Sequence, residues 1–104
     1  MSFRLLTVEM MPADCQQALG LVTATCCISK SLVGDLVANV KNWSVGGELP
    51  GYTALMDQSL EVIRARLAEK AQAMGAKAVI GVRLNTTQVS QGAVELIMYG
   101  TAVC

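Results

Sequence analysis

The stretch TALMDQSLEVIRARLAEKAQAMG, Thr53 to Gly75, decides the fold. Met56, Leu60, Ile63, Leu67, Ala71 and Met74 recur at spacings of 4, 3, 4, 4 and 3, which draws one apolar stripe along a helix. Thr53 fits the N-cap, the helix is expected over Ala54–Met74, and Gly75 fits the left-handed residue that ends it. Asp57 and Glu61 early and Lys70 late would complement the helix dipole.

Strands are expected on either side of this helix. Phe3–Val8 reads as a first strand, and Met11-Pro12-Ala13-Asp14 as a break. Ala18–Ile28, rich in Val, Thr, Leu, Ile and Cys, reads as a long second strand with no charge on either face, so both faces are expected to be covered. Ser31 would cap a short helix over Leu32–Asn42, and Ser44–Gly51 reads as a loop. After the long helix come Ala78–Leu84, extendable through Asn85–Val89, a turn at Ser90-Gln91-Gly92, and a last strand at Ala93–Val103: a β-hairpin. Gly81 and Gly100 lie inside these strands, where glycine marks a bulge or a close backbone approach. The order β-β-α-α-β-β is α+β, one long helix on a mainly antiparallel sheet, with residues 1–104 forming one domain.

Composition narrows the function classes. The 104 residues are 53% apolar and only 15% charged, which excludes a disordered chain. Eight basic residues balance eight acidic ones, so no net basic field recruits nucleic acid. No stretch is apolar for long enough to insert in a membrane, and no targeting segment is evident, so a cytoplasmic location is expected. So few charges on so small a domain point to an oligomer whose contacts cover the surplus. Histidine is absent, which removes imidazole ligands and histidine-based catalysis. No nucleophile is paired with a base, so the chain is not read as an enzyme.

The cysteines, Cys15, Cys26, Cys27 and Cys104, are the candidate ligands for a soft ion of the Zn, Cu or Hg class, because thiolates suit such ions. Cys26 and Cys27, adjacent in a strand, point to opposite faces. Cys104 would meet Cys15 or Cys26 if their strands are neighbours. The plainer reading is that all four are small buried residues. Trp43, Tyr52 and Tyr99 are among only four aromatic residues and are candidates for a contact or pocket wall, against simple packing of the loop on the helix. Glu95 interrupts an apolar strand; it either points to solvent, pairs with Arg83 of the partner strand, or sits at a subunit boundary. Gly46, Gly47 and Gly51 before the helix do not form a phosphate loop, since the GxxxxGK[ST] pattern is absent.

Several of these residues also carry a resemblance. Gly20-Leu21-Val22-Thr23 and Asp35 are followed by Gly46-Gly47, Tyr52 and the stripe Met56, Ile63, Leu67, Ala71. Then come Gly75-Ala76-Lys77-Ala78-Val79-Ile80-Gly81-Val82 and the terminal Gly100-Thr101-Ala102-Val103. In this combination the chain resembles the YbjQ-like family of prokaryotic proteins, labelled heavy-metal-binding, over nearly its whole length. It departs at Ala24, where the family has Gly, and at Ser59-Leu60, where the family has Ala-Arg. The resemblance implies a small α+β subunit assembled as a ring, typically a homopentamer, binding a metal ion or small ligand in or between subunits. A cytosolic protein–protein interaction module and an enzyme at the subunit interface are the alternatives.

Overall fold

A computed structural model describes residues 3–29, 50–90 and 93–104. The expected short helix over 32–42, Trp43 and positions 44–49 of the expected loop over 44–51 lie outside the described residues, and Pro50 and Gly51 of that loop are helical. Those described form four strands and one helix: β1 (Arg4–Leu5), β2 (Ala18–Ser29), α1 (Pro50–Ala73), β3 (Ala78–Ser90) and β4 (Ala93–Val103). The sheet order is β1-β3-β4-β2. β3 and β4 form the expected hairpin, β2 lies antiparallel beside β4, and β1 runs parallel to β3. The sheet is therefore mixed.

The helix stripe is realised. Ile63, Leu67 and Ala71 are fully buried, with Met56 and Leu60 packed beside them. They meet Val22, Ala24 and Ile28 of β2, Val79 and Val82 of β3, and Leu96, Met98 and Ala102 of β4. Ser59 is buried on the same side, and its hydroxyl donates to the Leu55 carbonyl at 2.9 Å, which satisfies it locally.

The helix ends differ from expectation in instructive ways. It begins at Pro50 rather than after Thr53. Proline suits the first helical position, since its fixed φ is helical and its missing N–H needs no partner there. Asp57 and Glu61 thus fall beyond the first turn, which holds no acidic residue; only Lys70 complements the dipole. The C-terminus follows the expected pattern. Gly75 has φ +90°, its N–H donates to Gln72 O, and the Ala76 N–H reaches back to Ala71 O at 3.1 Å. This pair of bonds is a Schellman motif. Met74 falls past the last helical residue and is 40% exposed, so the stripe ends one member early.

Both strand glycines do what was expected of them. The register shifts between Ile80 and Arg83, so two β3 residues, Gly81 and Val82, span one β4 position. Gly81 sits at φ +62° in this bulge. Its N–H donates to Val8 O at 2.7 Å and that of Val82 to Leu6 O at 2.9 Å, so the bulge docks the chain after β1. Gly100 faces the bulge from β4. A Cβ there would lie 2.6 Å from Val79 Cγ1 and 2.9 Å from Ile80 O.

The second face of the sheet departs from expectation. At one end Cys15, Ala78, Ile80 and Val103 form a small buried cluster with Leu6 beside it. Beyond it Leu21, Thr23, Thr25 and Cys27 are all exposed, Leu21 at 69%. The only described helix covers the opposite face, so among the described residues the uncharged strand is covered by a helix on one side only.

The segment over this cluster is held electrostatically. Cys15 N–H closes the expected break by donating to Pro12 O. Arg4 Nη2 donates to both carboxylate oxygens of Asp14, at 2.8 and 2.7 Å, and Lys77 donates to the Asp14 carbonyl. The hydrogen bond from Arg4 holds the Asp14 carboxyl below its ordinary range and raises the guanidinium. A carboxyl depressed in the folded state stabilises fully above its unfolded pKa, near 3.9, and that contribution fades as pH falls through the folded value. We expect Asp14→Asn to be less stable than the parent at pH 7, with the gap closing below about pH 4 in urea melts. Gly75→Ala should cost about 1 kcal/mol through its backbone conformation alone, since nothing lies within 4 Å of the added methyl. Gly100→Ala should cost about 2–3 kcal/mol through steric overlap, read from the same midpoints.

Candidate functional site

The structure separates the cysteines into two groups. Cys15 and Cys104 share one end of the sheet: the N–H groups of Gln16 and Gln17 both donate to Cys104 O, and Cys104 N–H returns a bond to Gln17 O. Cys26 and Cys27 stand opposite Leu96 and Glu95, toward the other end. Glu95 precedes Cys104 by nine positions along the chain, roughly 30 Å of strand. Cys104 thus neighbours Cys15, not Cys26. Cys26 is half-buried against the core and Cys27 exposed on the outer face, the opposite orientations that strand geometry dictates. Cys15 is 5% exposed, and its thiol lies 3.9 Å from Asp14 Oδ1. All four thiols are free. Among the described residues no three Cys, Asp or Glu side chains converge as an ion would require.

Pairing with Arg83, one of the readings of Glu95, does not occur within the chain. Arg83 stands opposite Tyr99, whereas Glu95 lies between Thr87 and Cys27. The pairing runs without a shift from Arg83 to Thr87, so the two charges lie four rungs apart. Arg83 instead turns to the sheet edge, where Nη1 donates to Thr7 O at 3.0 Å and to Val82 O at 2.8 Å, and Nη2 lies 3.7 Å from Glu9. Tyr99 and Glu95 are half-buried on the outer face, in rows with Thr23 and Cys27 of β2. Tyr52 is in the first turn of α1, away from Tyr99 in sequence and on a different element; its side chain, like Trp43, lies outside what is described.

Sequence reasoning missed one feature. A groove of about 510 Å³ opens between the N-terminal segment, β3 and α1, lined by Leu5, Thr7, Arg64, Val82, Arg83, Leu84 and Met98. Leu84 is 41% exposed there, although its row-mates Met98 and Ala24 are buried in the core. Arg64 pairs with Glu61 at 2.6 Å on the helix surface. The signal available in the sequence was the position of Arg64 directly beside Ile63 of the stripe. Uniting it with Arg83 required the bulge and the parallel β1, neither of which periodicity reveals. No described helix is long and apolar enough to cross a membrane.

The comparisons with known proteins agree with this architecture. A UPF0145 protein of Thermus thermophilus is 46% identical over 98 residues, covering 93% of this chain and 85% of the relative. UPF0145 proteins of Acinetobacter baylyi (45% identity, 84% and 80% coverage) and Methanococcus maripaludis (41%, 86% and 80%) are also similar. Among solved structures, a DUF74-family protein of unknown function from Pediococcus pentosaceus superposes with a TM-score of 0.62. It shares 16% identity, covering 95% of this chain and 92% of that one, which speaks to the fold alone. Residues 5–104 match the family model described as "Putative heavy-metal-binding", and the chain belongs to this YbjQ-like family.

Proposed function

We propose that this chain is the non-enzymatic subunit of a ring-shaped homo-oligomer, a pentamer, that binds a soft metal ion or small ligand in or between its subunits. The observation that carries the reading is the state of β2. It lies at the edge of the sheet for 12 residues, contains no charged residue, and exposes Leu21, Thr23, Thr25 and Cys27 on its outer face. An edge of that length without charges or proline is a template for pairing with another chain. A head-to-tail contact through such an edge closes into a ring when its rotation permits, and the closed ring leaves no edge exposed. The exposed Val8 and Met10 add apolar surface near the sheet.

The ring also supplies what one subunit lacks. A site of three or four ligands suits such ions, and among the described residues of one chain no three candidate ligands converge. Symmetry repeats each exposed Cys27 once per subunit, so thiols that are solitary in one chain become a set in the assembly. The family description supports a metal as the ligand. A cytoplasmic compartment, reducing enough to keep such thiols free, is part of the same proposal.

Native mass spectrometry of protein purified without chelator tests both halves. The expected spectrum is a closed oligomer, and Leu21→Lys should shift it toward the 11.0 kDa subunit. A parent protein that stays monomeric at micromolar concentration overturns the ring. For the metal, Zn²⁺ or Cu(I) competition titration should show fewer than one ion per subunit and lose that binding in Cys27→Ser. Unchanged binding in this variant removes Cys27 as a ligand.

A further inference from the structure

We propose that the groove between the N-terminal segment, β3 and α1 binds a small amphipathic organic anion, a carboxylate with a short apolar tail. Its volume, about 510 Å³, lies in the range of small-molecule sites. Leu5, Val82, Leu84 and Met98 provide an apolar floor, and Leu84 is left 41% exposed on it. The charged lining consists of two arginines, Arg64 and Arg83, with no carboxylate among the lining residues. An apolar floor under two guanidinium groups is complementary to an anion carrying a hydrocarbon body, and unfavourable for a cation of the same shape.

Arg83 is held for this task. Nη1 is occupied by the Thr7 and Val82 carbonyls, which orient the guanidinium, while among the described residues Nη2 has only Glu9, at 3.7 Å. Arg64 is engaged by Glu61, but both side chains are more than half exposed. Exposed pairs of this kind are worth little and yield to a carboxylate delivered with its own apolar contacts. The ligand's carboxylate accepts from Arg64 and from the free face of Arg83, and its tail covers Leu84. The groove is formed by one subunit and uses none of the cysteines, so it stands independently of the ring and of any metal.

The test is isothermal titration of the full chain with octanoate, octanol and octylammonium. Octanoate is expected to bind saturably below roughly millimolar concentration, with the other two at least about tenfold weaker. Arg64→Gln should weaken octanoate by about tenfold, matching the loss of one charge-assisted hydrogen bond. Leu84→Asp should abolish binding, and Lys70→Gln, a lost cation elsewhere on the helix, should leave it unchanged. Arg83→Gln also releases two backbone carbonyls, so its thermal melt is recorded alongside; Arg64, whose one side-chain partner among the described residues is Glu61, keeps the test decisive if Arg83→Gln unfolds. Absence of saturable octanoate binding overturns the proposal, as does equal affinity for octanol or octylammonium, or indifference to Arg64→Gln and Leu84→Asp. Loss of the ring in native mass spectra, with octanoate binding intact, would count against the assembly and not against this site.

Discussion

The close approach of β3 to β4 at Gly100 is the constraint on which the rest of the structure depends. A side chain there would overlap Val79 and the Ile80 carbonyl, so the strands can hold this spacing only with hydrogen at that position. The same crossing accommodates the extra residue of the Gly81–Val82 bulge. A bulge reverses which residues face the core. Here it turns Val82 toward the helix and leaves Arg83 on the outer row, and without it the two would exchange faces, placing a guanidinium against Leu67 and Met98. The bulge also frees the Gly81 N–H to bind Val8 O, which anchors the N-terminal segment beside β3. Register, core membership and the groove wall thus trace to one pair of glycines.

The elements with a strong period were legible in the sequence. Ile63, Leu67 and Ala71 declared the helix face, Gly75 its end, and the apolar, branched runs on either side of Ser90-Gln91-Gly92 the hairpin. These signals are local: 3.6-residue recurrence, a left-handed cap, branched residues flanking a turn. What escaped were consequences of pairing. That β1 would run parallel to β3 and lie at the edge depends on a contact between residues more than seventy positions apart. The start at Pro50 was hidden because Thr53 is also a good cap, and proline at the first position outcompeted it. Of the candidate site residues, opposite orientation of Cys26 and Cys27 followed from strand geometry alone. Arg83 and Glu95 do not meet within the chain because, counted back from the hairpin turn, they lie four rungs apart, opposite Tyr99 and Thr87.

Charge is sparse in this chain, and its placement is informative. Arg4, Lys77 and Asp14 tie the N-terminal segment over the small cluster around Cys15, and Arg83 caps two carbonyls at the bulge. Arg66 donates to Thr25 O on the edge strand. Three basic side chains are therefore used as donors to backbone carbonyls rather than spread as a solubilising coat. That usage explains how a chain with 15% charged residues satisfies irregular backbone, and why so little charge remains for β2. The exposed large apolar side chains are divided among the N-terminal segment (Val8, Met10, Met11), β2 (Leu21), the helix and its end (Val62, Met74) and β3 (Leu84).

The distribution of thiols carries the argument one step further. Strand geometry opposes Cys26 to Cys27, and the antiparallel pairing of β2 with β4 sends Cys104 to the end away from both. Neither arrangement relaxes by side-chain rotation, because moving a cysteine across the sheet means a one-residue register slip that would also expose Val22, Ala24 and Ile28. The core therefore enforces the separation of the thiols. A soft-metal site of three or more ligands built from Cys27 must draw at least one of them from outside the described part of its own chain. Where such a ligand comes from a second subunit, metal affinity and assembly are thermodynamically linked, each strengthening the other by the same factor, while a ligand in the Arg64–Arg83 groove, formed within one subunit, has no such obligatory coupling.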